Sequence, residues 1–146
     1  MQDTRGFSLV EIVVVVGIIS LLGSVSVATY IAYRDQADFT STHTSLLQLI
    51  ESARHQARTG VADTSWSLEL ESDRITLFAG TDYATRDDSL DHVLLLPPDT
   101  TLTGPDTVTF LQVTGYPDPP ASYELQSGDD NVEITINTYG TVNQQN

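Results

Sequence analysis

The residue whose chemistry most needs explaining is Glu11, a carboxylate followed by 22 residues without a formal charge, Ile12 to Tyr33. Carrying an unpaired carboxylate into hydrocarbon costs about 2.5–3.5 kcal/mol at a helix centre, so an acid at the edge of such a run needs a cation. The next basic residue along the chain is Arg34, out of reach. A cut between Gly6 and Phe7 would supply the charge. The α-amino group released on Phe7 stands one helical turn before Glu11, in the same chain or a neighbouring one.

The other residue types that do chemistry lack the spacing for it. His43, His55 and His92 belong to no paired-His motif, to no HExxH and to no GxSxG, so the chain is read as a non-enzyme without a metal or organic cofactor. Asp82, Asp87, Asp88 and Asp91, and again Asp129 and Asp130, offer hard oxygen ligands but miss the Asp-x-Asp-x-Asp-Gly loop with its distal Glu, so they are expected to be solvated loop charge. Cysteine is absent, which excludes disulfides, thiolate zinc sites and thiol nucleophiles.

Charge narrows the partners. Twenty Asp and Glu against six basic residues, all of them arginine, give a formal net charge of −14 over 146 residues. From Gly60 to Asn146 there are fifteen acids and two arginines, a net of −13. Such a field repels nucleic acid, whose binding needs cations that displace counterions, and Arg54 with Arg58 is the only small basic pair beyond Arg34.

The positioning elements follow from pattern. Ile12–Tyr33 is predicted to be a helix of ~33 Å, long enough to span a ~30 Å hydrocarbon core and longer than the apolar core of a cleavable signal. Arg34-Asp35-Gln36 marks emergence into water, and Leu46, Ile50, Ala53 and Ala57 then recur at helical spacing with Gly60 placed to end the run. The Thr40-Ser41-Thr42 cluster leaves open one long helix or two. After Gly60 the period falls to two. Trp66, Leu68 and Leu70 alternate with polar residues, Ser72-Asp73 turns the chain into Arg74–Ala79, and further strands are predicted at 93–96, 107–113, 122–126 and 131–138. The segment through Gly140 to Val142 reads as a turn and a short return strand, and Pro117-Asp118-Pro119-Pro120 as a rigid loop.

Arg5-Gly6-Phe7-Ser8-Leu9-Val10-Glu11 and the apolar run through Gly23 resemble the prepilin signature of type IV pilins and type II secretion pseudopilins. The resemblance implies cleavage by a prepilin peptidase at Gly6/Phe7, N-methylation of Phe7, and pairing of Glu11 with the amine of an adjoining subunit. Ser52–Arg58 leading to the Trp66–Leu70 strand, with the terminal 134–142 segment, is similar to GspH/FimT-type minor pseudopilins. The implied fold is α+β, a long N-terminal hydrophobic helix packed on an all-β, sandwich-like head. The expected organisation is a leader (1–6), a transmembrane and filament-core helix (7–33), a soluble half of the stem (34–60) and a β-rich head (61–146). The family's usual proline in the span is missing, and Gly17 and Gly23 are the weak points that replace it.

The resemblance further implies a single-pass subunit of the cytoplasmic (inner) membrane, its head outside the cytoplasm, assembling into a type II secretion pseudopilus or a type IV pilus. Its expected partners are other pilin or pseudopilin subunits, the peptidase, the membrane and secreted cargo, with nucleic acid unfavoured. The alternative kept open is a pilin-like adhesion or DNA-uptake subunit.

Overall fold

The computed structural model describes residues 7–145, with the side chains at 24–29, 31 and 32 left out. The predicted leader 1–6, Gly6 included, lies outside the described residues. The architecture is α+β. A helix, α1 (Leu9–Thr59), precedes nine strands, and the chain divides into two compact units after Ala37.

In the first unit, Ser8 precedes the helix and its carbonyl accepts the N–H of Ile12 at 3.2 Å. Four consecutive valines, Val13 to Val16, are helical although β-branching restricts their side chains there, and they are 46–62% exposed. Among the described residues no helix is long and apolar enough to cross a membrane. The stretch expected to span, 12–33, includes the eight positions whose side chains are not described.

In the second unit the Thr40-Ser41-Thr42 cluster does not break the helix. Thr42 and Thr44 turn their hydroxyls back onto the carbonyls of Asp38 and Thr40, at 2.8 and 2.9 Å, so the side chains are satisfied inside the helix. The helix ends where expected, at Gly60, whose left-handed backbone (φ 70°, ψ 28°) reverses the chain without a Cβ penalty.

The strands are β1 (Trp66–Leu70), β2 (Arg74–Ala79), β3 (His92–Leu95), β4 (Thr100–Thr103), β5 (Thr107–Phe110), β6 (Pro117–Asp118), β7 (Ala121–Ser127), β8 (Asp130–Ile136) and β9 (Val142–Gln145). They form two antiparallel sheets, in the orders β3-β2-β1-β5-β6 and β4-β7-β8-β9. Leu46, Ile50, Ala53 and Ala57 of α1 share one core with Trp66, Leu68, Ile75, Leu77 and Phe110 of the first sheet and Tyr123, Leu125, Ile134 and Ile136 of the second. All are essentially inaccessible. Each buried Leu, Ile or Phe among them contributes about 1.5–3 kcal/mol of apolar burial, so residues 38–59 of the helix belong to the same core as the strands do.

Three expectations are revised. The strand expected over 107–113 stops at Phe110, because Val113 takes φ 74° in a turn. β4 and the two-residue β6, inside the expected proline loop, were not anticipated.

Candidate functional site

Phe7 is 79% exposed just ahead of α1, and Glu11 is the acid in the first helical turn. There the carboxylate stands at the positive end of the helix dipole. Among the described residues no cation stands within ion-pair distance of it. From Leu9 to Leu22 the large apolar side chains are exposed on every side of the helix, Leu9 at 79%, Val15 at 46% and Leu22 at 66%. A helix apolar all round requires an apolar surrounding, from lipid or from other helices. Ser20 keeps its polarity internal by donating to the carbonyl of Val16 at 2.8 Å.

The acidic loop is structural. Asp82 accepts the N–H of Ala84 and the hydroxyl of Thr85, and Asp87 accepts the N–H and hydroxyl of Ser89, each closing a short 3-10 turn. Its bonds from Ser89 hold the Asp87 carboxyl below the usual range. Asp91 takes Arg86 Nε at 2.8 Å, and the Arg86 guanidinium lies 3.6 Å over the Tyr83 ring, which packs edge-on against buried Phe78. Tyr83 and Arg86 thereby cover Phe78 on the second face of the first sheet, a packing role that the acidic composition did not reveal. Among the described residues no group of three His, Asp or Glu is placed to hold a metal. His43 stacks on Phe39, His55 is exposed on the helix, and His92 opens β3, so the three are not brought together.

A second feature lies at the end of α1. The β5–β6 loop docks there through its backbone: the N–H of Val113 donates to the carbonyl of Ala57 at 2.9 Å, satisfying one of the acceptors a helix end leaves open. The same loop brings Gly115 against the Arg58 stem. Arg54, Arg58 and Val113 line a concavity of about 400 Å³. Spacing shows that Arg54 and Arg58 share a helix face; only the fold shows that the loops bearing Gly115 and Gly140 pin their stems.

Residues 1–27 match the family described as "Prokaryotic N-terminal methylation motif". The amino terminus therefore carries a type IV pilin-like signal, in the segment holding Gly6, Phe7 and Glu11. No curated protein and no solved structure matches the chain.

Proposed function

We propose that this chain is a minor pseudopilin or pilin-like subunit of GspH/FimT type, cut by a prepilin peptidase between Gly6 and Phe7 and methylated on Phe7. The observation that carries the reading is the methylation motif over 1–27 leading into a helix whose apolar residues are exposed on every side. Residues 7–33 hold the subunit in the cytoplasmic membrane and later pack with other such helices, residues 34–60 continue the stem, and the head beyond them stays outside the cytoplasm, where it contacts other subunits or cargo. Glu11 pairs with the α-amino group of an adjoining subunit, which removes the cost of a lone carboxylate among apolar helices. The filament is a type II secretion pseudopilus or a type IV pilus, and the subunit's work is assembly and not catalysis.

Glu11→Ala tests the pairing. The account expects the variant to reach the membrane at the normal level and to fall in the sheared filament fraction. Normal recovery in filaments would remove the pairing role.

A further inference from the structure

The second unit holds four arginines, and it uses two of them internally. Arg74 donates to Asp73 from Nε and Nη2, both at 2.9 Å, and Arg86 is spent on Asp91 and Tyr83. Arg54 reaches Glu51 only at 3.9 Å, beyond hydrogen-bond distance, and its Nε is enclosed without an acceptor. Arg58 has no ion pair among the described residues. Both stems are nonetheless fixed. A Cβ at Gly115 would stand 2.3 Å from Arg58 Cγ, and one at Gly140 would stand 3.1 Å from Arg54 Cδ. Arg58 is thus held without an ion-pair partner among the described residues, and Arg54 with only a long ion pair to the exposed Glu51, which lines the same concavity; stems already held in place lose less entropy when a carboxylate binds.

The complementary arrangement is on the second sheet. Glu124 of β7 lies directly opposite Glu133 of β8. Like charges in that register are destabilising, and the only bond to either carboxylate among the described residues comes from Asn131 Nδ2 to Glu124, at 2.8 Å. The pair lines a concavity of about 510 Å³ with Thr103, Ser122 and Gln145. Directly opposed strand residues have Cβ atoms about 4.5–5.5 Å apart, and helix residues four apart about 5–6 Å, so two arginines so spaced can each meet one carboxylate.

We propose that the Arg54–Arg58 groove docks a second copy of this chain through that copy's Glu124 and Glu133. The two surfaces lie on different elements of one head, so the contact is heterologous and leaves a free groove and a free acidic face at its ends, as a growing filament requires. The setting rests on the assembly reading above; the contact itself is tested on unassembled chain.

The sequence contains no lysine, so Arg58→Lys introduces the only side-chain amine. Full-length variant in detergent, mixed from unlabelled and heavy-isotope populations, is treated with a zero-length carbodiimide and mapped by mass spectrometry. The expected product is a mixed-isotope link from position 58 to Glu124 or Glu133, lost in about 0.5 M salt, where screening acts within ~3–5 Å. Same-isotope links alone, links spread evenly over other acids, or none would overturn the contact. Sedimentation of the chain carrying Glu124→Gln and Glu133→Gln provides the second readout. Self-association at low salt should fall about tenfold, and unchanged association would also overturn it. Neither failure bears on cleavage at Gly6/Phe7, which is read from the mature terminus.

Discussion

The Val113 N–H and the Ala57 carbonyl, 2.9 Å apart, join the loop after β5 to the last turn of α1. Val113 has a left-handed backbone (φ 74°), a conformation that a β-branched residue rarely adopts. The strain is relieved by a residue that tolerates the geometry. Because the Val113 side chain is 76% exposed, Val113→Asn should lose little packing and raise stability by about 1 kcal/mol, seen as a higher urea midpoint with an unchanged slope.

Gly115→Ala should do the opposite. Its added Cβ meets Arg58 Cγ at 2.3 Å and the Arg54 carbonyl at 2.8 Å, with φ at 66°. The backbone oxygen cannot move aside as a side chain could. A loss of about 2–4 kcal/mol is expected in the same denaturation experiment.

Tyr123 is enclosed in the core and its hydroxyl has no partner among the described residues. Tyr123→Phe removes a buried polar atom at no cost in shape, so thermal melting should show equal or greater stability. Burial pushes the Tyr123 phenol well above its usual value. Its folded form thus resists ionisation, and this contribution is full below the unfolded value of about 10 and is lost as pH rises through the folded one. Alkaline unfolding should begin above pH of about 10 and be delayed in Tyr123→Phe.

The acid limb has a different origin. The Arg74 hydrogen bonds hold the Asp73 carboxyl below its usual range, and Ser89 does the same for Asp87. Depressed carboxyl values contribute stability above the unfolded value of about 4, and that contribution disappears as pH falls through the lower folded values. Asp73→Asn with Asp87→Asn should flatten the slope of stability against pH below about 4, measured by urea midpoints.

Sequence pattern carried the core well and the covering loops poorly. Leu46, Ile50, Ala53 and Ala57 were legible because a helix that joins a core must repeat its apolar face, and the β1–β2 hairpin because a half-buried strand alternates. β4 has one apolar residue, Leu102, and β6 is a Pro-Asp pair, so their pairing depends on neighbours that no local period encodes. The role of Asp91 was hidden for the same reason: Arg86 bonds it while lying over Tyr83, which packs in turn on Phe78. The amino-terminal methylation motif was readable because its signature is local. An acid, an apolar run and the Gly6-Phe7 bond lie within one stretch of chain.

The account as a whole turns on where the mature chain begins. Intact-mass and amino-terminal peptide mass spectrometry of native protein, from cells with an active processing peptidase, should find a first residue of Phe7 bearing one methyl group. Recovery of chain that starts at Met1, or that is cut after the apolar run in the manner of a cleavable signal, would contradict it.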